Sequence, residues 1–265
     1  MNAIENAIEV KNLRKVYKGF SLDVSFSIPT GYVCGFIGRN GAGKTTTLKC
    51  LLGMSVADFG EVSILGKPIS DVSVKEELGV LLDQPYYQED WTALDIEKVL
   101  RPYYRHWSGE AWRKHLDLFQ LPMRKKFKEF SRGMKMKLGF AAAMAHDARL
   151  LILDEPTGGL DPVVREEILD LMREYLLDES RTIFFSTHIT SDLEKIADRI
   201  IFISGGRIVL ENEKDALCEK YALVRGGGYD KLMPLSSIGG LPKNVLAEKP
   251  TLEDIVVYFE RGKVQ

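Results

Sequence analysis

The sequence predicts an α/β protein with a mostly parallel sheet, an antiparallel β subdomain before it and a helical subdomain inserted into it. Three observations predict this arrangement. A glycine-rich loop lies between a short apolar run at residues 32–37 and a helical pattern at 46–52. A second apolar run, at 150–153, ends in two carboxylates. Between these runs, residues 91–147 follow a helical pattern without strands.

The first two strands are predicted from alternation. Apolar and polar side chains alternate over residues 8–13 and 20–28, which indicates two antiparallel strands with one wet face. Tyr17 lies on the connection between them. By its position it is either a surface aromatic or a ring that stacks on the adenine of a bound nucleotide.

The glycine-rich loop spans residues 38–46 and fits the pattern G-x-x-x-x-G-K-[ST]. Glycines let such a loop turn its backbone N–H groups inward around an anion, and the following helix adds the positive end of its dipole. Lys44 would reach the outer phosphates, and the Thr45 hydroxyl would ligate Mg²⁺. The loop residues that we expect to bind the nucleotide are Gly38, Asn40, Gly41, Ala42, Gly43, Lys44, Thr45 and Thr46.

Further strands are predicted at 60–65 and 79–82. The second must end before Pro85, which cannot donate to a sheet ladder. Gln84 therefore lies in a loop at a strand end, where open α/β sheets collect ligand-binding side chains, although a loop glutamine is more often simply solvated. In the helical stretch, Thr92 or Asp95, then Ser108, and then Ser131 are predicted to cap three successive helices.

Asp154 and Glu155 follow the apolar run at 150–153. A buried parallel strand that delivers acids at its C-terminal end is typical of the second half of a phosphate-loop ATPase site. Asp154 would hold Mg²⁺ through a water, and Glu155 would polarise an attacking water. The alternative is that both acids are merely solvated at a strand end.

The remaining pattern is a helix at 162–177 with Asp161 as its N-cap, and a strand at 181–186 followed by His188. A hairpin is predicted at 199–212 around Gly205 and Gly206. The last part contains a helix at 214–221, a break at 226–228 and a final helix that Thr251 caps.

Composition limits the function classes. The chain has 265 residues, 45% of them hydrophobic, and a net charge of −2, which argues against a nucleic-acid binder that relies on bulk charge. Cys34, Cys50 and Cys218 lack metal-ligand spacing and are typical of reduced thiols in a cytosolic protein. Residues 1–10 lack the apolar core of a signal peptide, and no window reaches 18 apolar residues, so we expect another chain to provide any membrane attachment.

In their order, these motifs resemble the nucleotide-binding subunit of an ABC transporter over residues 8–212. The marker is Phe-Ser-Arg-Gly-Met at 130–134, where the family usually has Leu-Ser-Gly-Gly-Gln. The resemblance implies a P-loop NTPase with a RecA-like core, and its Ser-x-Gly-Met form is similar to bacterial exporter subunits of the peptide-antibiotic resistance type. Arg132 and Met134 depart from the usual form, as does Gly158, which replaces the usual Ser before Gly-Leu-Asp.

The resemblance also implies roles for particular residues. Tyr17 would stack on adenine, Gln84 would sense Mg²⁺ and the membrane partner, and His188 would bind the γ-phosphate and orient the water with Glu155. Ser131 and Gly133 would close over ATP held by a second copy, and Asp161 would lie in the loop that crosses to that copy.

The resemblance finally implies an organisation. Residues 1–88 and 147–212 would form the nucleotide-binding core, 89–146 the helical subdomain and 213–265 a C-terminal extension. ATP and Mg²⁺ would be bound by a dimer, of two copies or of this chain with a related one. We expect a separate membrane permease as partner, a peripheral location at the cytoplasmic face of the membrane, and no nucleic-acid partner.

Two other functions stay open. Some members of the family are soluble clamps on nucleic acid or ribosomes, but they usually carry two such domains or long coiled-coil arms, which 265 residues do not accommodate. A nucleotide-responsive regulatory module without turnover is the other alternative, which the presence of both Glu155 and His188 disfavours.

Overall fold

The computed structural model of the protein describes residues 6–82, 87–240 and 244–264. The strands in this part of the chain are β1 (Asn6–Tyr17), β2 (Phe20–Pro29), β3 (Val33–Ile37), β4 (Phe59–Ile64), β5 (Lys67–Pro68), β6 (Leu78–Leu81), β7 (Leu150–Asp154), β8 (Thr182–Thr187), β9 (Arg199–Ser204), β10 (Arg207–Glu213), β11 (Tyr221–Gly226), β12 (Tyr229–Pro234) and β13 (Leu246–Glu248). The helices are α1 (Lys44–Leu51), α2 (Val72–Lys75), α3 (Ala93–Leu100), α4 (Gly109–Leu118), α5 (Arg132–Ala145), α6 (Pro162–Tyr175), α7 (Thr190–Ile196), α8 (Lys214–Lys220) and α9 (Leu252–Glu260), with 3₁₀ turns at Arg101–Tyr103, Phe127–Glu129 and Leu235–Gly240.

Ten strands form one sheet in the order β5-β4-β1-β2-β10-β9-β3-β8-β7-β6. The strands from β9 to β6 are parallel, and β3, β7 and β8 are buried along their whole length. Apolar side chains cover both faces of this parallel part, because successive residues of β7 enter two different core clusters. The predicted α/β fold with a parallel core is confirmed.

The antiparallel part of the sheet comprises β5, β4, β1 and β2. The predicted pairing of the first two strands is confirmed, but Tyr17 is the last residue of β1 rather than part of the connection. It pairs with Phe20, so the turn between the strands is only two residues long. The β9–β10 hairpin turns at Gly205 and Gly206, both with positive φ, as a two-residue hairpin loop requires.

The helices between β6 and β7 begin at the predicted caps. Thr92 and Asp95 form a reciprocal capping box on α3, which resolves the choice between them in favour of Thr92 as the N-cap. Ser108 and Ser131 cap α4 and α5 with their hydroxyl groups. Among the described residues, no helix combines the length and the apolar character needed to cross a membrane.

The part after β10 contains a structure that the sequence pattern did not predict. Strands β12, β11 and β13 form a second antiparallel sheet, and the break predicted at 226–228 is the loop of the β11–β12 hairpin. The final helix, α9, begins at Thr251 as predicted. Phe259 packs edge-on against Phe202 of β9 and Tyr221 of β11, so α9 joins the second sheet to the first.

Candidate functional site

A cavity of about 820 Å³ lies where the parallel strands β3, β7 and β8 end. This is the edge at which open α/β sheets place their ligands. The described residues that line it are Gly19, Phe20, Arg39, Asn40, Gly41, Gly43, Lys44, Thr45, Thr46, Arg132, Asp154, Glu155, Gly158, Gly159 and His188. Most residues of the predicted phosphate loop are therefore neighbours in space of Asp154, Glu155 and His188.

The glycine-rich loop forms one wall of the cavity and leads directly into α1. Gly41 and Gly43 have φ values of 82° and 117°, which side chains other than glycine rarely adopt. A Cβ atom on Gly38 would lie 2.4 Å from the carbonyl oxygen of Ile203, so the loop packs closely against β9. Because α1 begins at Lys44, its free N–H groups and positive dipole end face the cavity.

Lys44 is 6% exposed, which is rare for a lysine. Its ammonium group donates to the carbonyl oxygen of Gly38 at 2.6 Å and lies 3.3 Å from Oε1 of Glu155. A buried ammonium at a helix N-terminus concentrates positive charge at one point of the cavity wall. The arrangement suits a ligand with several negative charges, such as a polyphosphate.

Asp154, the last residue of β7, is 3% exposed and is held on both carboxylate oxygens. Oδ2 accepts a hydrogen bond from the Thr45 hydroxyl at 3.0 Å, and Oδ1 accepts one from the Ser186 hydroxyl. Ser186 stands opposite Asp154 in the β7–β8 register. The strand pairing thus fixes the carboxylate toward the start of α1.

The oxygens of Thr45 and Asp154 fit a magnesium site. Carboxylate and hydroxyl oxygens are hard ligands, and Mg²⁺ in nucleotide sites is usually held by one or two protein oxygens, with phosphate oxygens and waters completing the shell. Among the described residues no cluster of three or more His, Cys, Asp or Glu side chains could hold a metal. The donor set therefore suits a metal that arrives with a phosphate ligand.

The chain turns away from the direction of β7 at Glu155, which has an unusual backbone conformation. Its φ is +50°, in the left-handed region, which costs a residue other than glycine about 1–3 kcal/mol. The N–H of Glu155 donates to the backbone carbonyl of Ser186 at 3.1 Å. This turn carries the Glu155 side chain away from Asp154 and toward the next strand end.

His188 follows β8 and meets Glu155 there. Nδ1 of His188 lies 2.8 Å from Oε2 of Glu155, within hydrogen-bond distance. Glu155 thus has the Lys44 ammonium near one oxygen and the His188 ring near the other. Three residues that are 111 and 33 positions apart in sequence form one contiguous group at the cavity wall.

The aromatic residue at the cavity differs from the predicted one. Phe20 is part of the lining, whereas Tyr17, across the turn, is not among the described lining residues. The Tyr17 ring is 46% exposed, and its hydroxyl lies 3.3 Å from the Ser55 hydroxyl. Tyr17 as the adenine-stacking residue stays a prediction.

The predicted phosphate contacts after the helical block also lie outside this lining. Ser131 is exposed, and its hydroxyl accepts the N–H of Met134 at 3.2 Å as the N-cap of α5. Gly133 is buried where α5 approaches α6, and a Cβ atom there would lie 2.6 Å from Val164. Asp161 is exposed and caps α6. None of the three reaches the cavity of its own chain.

Gln84 lies outside the described residues. Several lining residues were not predicted from the sequence, and the cavity or its carboxylate contacts also involve Phe20, Arg39, Arg132, Gly158, Gly159 and Ser186. One signal for Ser186 was available, because it is a hydroxyl residue near the end of an apolar strand. Arg132 begins α5 and extends over Gly159, a tertiary contact without a sequence signal.

This chain is similar in sequence and fold to several known proteins. The family model described as ABC transporter matches residues 22–158. The bacitracin transport ATP-binding protein of Enterococcus faecalis is 34% identical over 217 residues, which cover 80% of this chain and 70% of that protein. The Nod factor export ATP-binding protein I of Burkholderia orbicola is 36% identical over 223 residues, covering 80% and 72%. A dimeric ATP-binding cassette solved in a post-hydrolysis state with ADP and Pi is 25% identical, with a TM-score of 0.68, covering 78% of this chain and 98% of that one.

Proposed function

We propose that this chain, which belongs to the ABC transporter family, binds and hydrolyses ATP and couples the hydrolysis to a membrane permease. The observation that carries the proposal is the convergence of Lys44, Glu155 and His188 on one cavity beside the glycine-rich loop. Lys44 begins the helix after β3, and Glu155 and His188 directly follow β7 and β8, so a chance grouping of polar side chains is a poor explanation.

ATP binding would use the loop and the start of α1. Backbone N–H groups of residues 40–46 would surround the β- and γ-phosphates, and Lys44 would exchange its contact with Gly38 for phosphate oxygens. Thr45 and Asp154 would hold Mg²⁺, which when bound neutralises negative charge on the phosphate oxygens. Tyr17 or Phe20 would contact the adenine.

Hydrolysis would take place beside Glu155. The carboxylate would accept a proton from a water whose oxygen forms the new bond to the γ-phosphorus, while the bond from that phosphorus to the β–γ bridging oxygen breaks. The products are ADP and inorganic phosphate. His188 would hold Glu155 through Nδ1 and present its other nitrogen to the γ-phosphate.

The other wall of the site would come from a second chain. Ser131 and Gly133 stand at the N-terminus of α5, a 14-residue helix whose N–H groups suit an anion, yet they do not line the cavity of their own chain. Two chains in a head-to-tail dimer would each supply this element to the other's ATP, with Asp161 in the crossing loop. Such a dimer closes when ATP bridges it and opens after hydrolysis. The two chains are either identical or closely related.

The movement would be passed to a separate permease, with this chain held at the cytoplasmic face of the membrane. We propose residues 89–146 as the helical subdomain that contacts the permease with Gln84, residues 1–88 and 147–212 as the core, and 213–265 as an extension. Export is the proposed direction, because one of the similar proteins is named for export and another for bacitracin transport.

Two substitutions test the proposed site. Glu155→Gln should lower kcat for ATP by about 10²–10⁴-fold and leave ATP affinity nearly unchanged, because only the proton acceptor is lost. Glu174→Gln, an exposed glutamate on α6, is the matched control and should keep wild-type turnover. Retained turnover in Glu155→Gln would refute the assignment of Glu155 as the base.

Lys44→Ala should abolish measurable ATP binding in a titration with a fluorescent ATP analogue. Lys49→Ala, on the exposed side of the same helix, should bind as the wild type does. Equal affinity in the two variants would contradict the phosphate-binding role of the loop.

Purification of the chain from membranes tests the partner, since an integral membrane protein should accompany it rather than ribosomes or DNA.

A further inference from the structure

A fully buried carboxylate lies close to the site without touching the cavity. Asp192 on α7 has a side chain that is 0% exposed. Its Oδ2 accepts a hydrogen bond from the Thr157 hydroxyl at 2.5 Å, and its Oδ1 accepts one from Nε of Arg165 at 2.6 Å. Aspartates are almost never fully buried unless they are paired, so the burial of Asp192 depends on these hydrogen-bonding partners.

The three residues come from segments that carry the site. Thr157 is two residues after Glu155, and Asp192 is four residues after His188. Arg165 is on α6, the helix that follows the loop at 156–161. One carboxylate therefore joins the segment after β7 to the segment after β8.

The links from this group to the site are short and specific. The N–H of Gly158 donates to the carbonyl oxygen of Glu155 at 3.0 Å, which closes the turn that contains Thr157. On the other side, the N–H of Asp192 donates to the carbonyl oxygen of Ile189 at 3.2 Å, beside His188. A shift of Asp192 relative to Thr157 would therefore change the distance between Glu155 and His188.

The need to hold α6 against α7 does not explain the buried carboxylate of Asp192. Lys195 and Glu166 already join α7 to α6 by an ion pair on the surface, with side chains that are 41% and 47% exposed. A buried ion pair contributes little net stability, because the desolvation of both charges offsets their attraction. A geometric role accounts better for a carboxylate whose two oxygens are held by Thr157 and Arg165.

We propose that Asp192 is a positioning residue for ATP hydrolysis, which acts through Thr157 and Arg165 to fix the 2.8 Å contact between Glu155 and His188. The inference rests on the proposed function, in which Glu155 accepts the proton from water. It further implies that movement of the loop at 156–161, on which Asp161 lies, reaches the Glu155–His188 pair.

The test measures ATP turnover of the full chain in Thr157→Val, which keeps the side-chain shape and removes only the hydroxyl. We expect kcat to fall about tenfold, since small misplacements of reacting groups are costly, with KM for ATP and the affinity for a fluorescent ATP analogue changed less than twofold. Thr157→Ser keeps the hydroxyl and should restore most of kcat. Arg165→Lys, which keeps the charge but loses the planar fork, should also lower kcat at unchanged KM.

The controls separate positioning from folding. Lys195→Met removes the surface ion pair between the same helices and should keep wild-type kcat. A full kcat in either folded variant, Thr157→Val or Arg165→Lys, would overturn the proposal, as would a parallel loss of kcat and ATP affinity that follows Tm. If Thr157→Val does not fold, Arg165→Lys decides the question by the same measurements. Absence of hydrolysis by the wild type would instead contradict the proposed function.

Discussion

Two groups of predicted site residues differ in how far a single chain organises them. The first, here called the hydrolysis group, consists of Lys44, Asp154, Glu155 and His188. The second, the closing group, consists of Ser131, Gly133 and Asp161. Members of the hydrolysis group contact one another or the glycine-rich loop, at distances of 2.6 to 3.3 Å. Members of the closing group serve only as helix caps or as a close contact between helices.

The difference follows from where each group stands. Asp154, Glu155 and His188 stand at or directly after the ends of buried parallel strands, and Lys44 begins the helix that follows a third such strand. Neighbouring strand ends must meet at one edge of the sheet. The closing group stands at the N-termini of α5 and α6, where Ser131 and Asp161 are exposed and Gly133 is buried between the two helices. The strand register therefore brings the hydrolysis group together inside each chain, whereas the proposed role of the closing group requires a second chain.

The largest expected effect comes from combining one variant from each group. Glu155→Gln should lose about 10²–10⁴-fold in kcat, and Ser131→Ala about 10-fold or more, by loss of a phosphate donor. If the two half-sites come from different chains, a mixed dimer keeps one intact site. An equal mixture should therefore recover about a quarter of the wild-type ATPase rate.

The outcome distinguishes the two arrangements directly. If Ser131 acted on ATP in its own chain, every site in a mixed dimer would carry one substitution, and the mixture would show no recovery. Gel filtration of Glu155→Gln with ATP should show the dimer before the mixing is done. A monomer under that condition would contradict a dimer of identical chains.

A smaller effect separates the capping role of Ser131 from its proposed role at ATP. Ser131→Ala and Ser108→Ala remove the same cap contact from α5 and α4, at 3.2 and 3.1 Å. Each should lower stability by about 1 kcal/mol, or about 2–4 °C in Tm for a chain of this size. Only Ser131→Ala should also lower ATP turnover. An equal ATPase loss in Ser108→Ala would assign the effect of Ser131 to folding.

The residues of the hydrolysis group were predicted from the sequence, whereas the conformation of Glu155 and the position of Arg132 beside the group were not. Lys44 and Asp154 stand in short segments that have a local sequence pattern. Lys44 is part of a phosphate loop, and Asp154 ends a buried strand. The left-handed conformation of Glu155 carries no such signal, because non-glycine residues rarely adopt it. Arg132 reaches the cavity through the packing of α5 near Gly159, which depends on tertiary structure alone.

In the C-terminal part, too, local features were predicted from the sequence and tertiary pairing was not. The predicted helix at 214–221 and the cap at Thr251 are local features, and both are present in the structure. The second sheet was not predicted, because β13 is three residues long and its residues pair with β11 residues that are 21 to 25 positions away in sequence. Three consecutive glycines at 226–228 predict a break, whereas Gly226 ends β11 and the next two glycines form the loop of a hairpin.

The choice between two aromatic residues gives the next prediction. Stacking of one ring on adenine contributes about 1–3 kcal/mol, so the substitution that removes it should weaken ATP binding about 5- to 150-fold. Tyr17→Ala has this effect if the resemblance assigns the ring correctly, and Phe20→Ala has it if the cavity lining does. Tyr17→Phe, which removes only the contact with Ser55, should bind ATP as the wild type does. Titration with a fluorescent ATP analogue ranks the three variants, and unchanged affinity in both alanine variants would contradict aromatic stacking.

The smallest predicted effect concerns the far end of α5, where a buried histidine joins the helix to the sheet. Nδ1 and Nε2 of His146 lie 2.8 and 3.0 Å from the carbonyl oxygens of Ala142 and Leu78, and the ring stacks on Tyr104. Burial lowers the pKa of His146 below its ordinary value of 6.5. The unfolded chain therefore binds a proton that the folded chain does not, and stability is lost as pH falls through about 6.5.

We expect Tm to decrease between about pH 7.5 and pH 5.5, and His146→Gln to show a shallower decrease over this window. The pKa of His115 is also lowered by burial, so the slope should be reduced rather than abolished, and His115→Gln serves as the matched comparison. An unchanged slope in His146→Gln would mean that the ring gains a proton in the folded protein, with both nitrogens donating to the two carbonyls. The effect should leave the hydrolysis group untouched, because His146 lies at the end of α5 opposite Ser131.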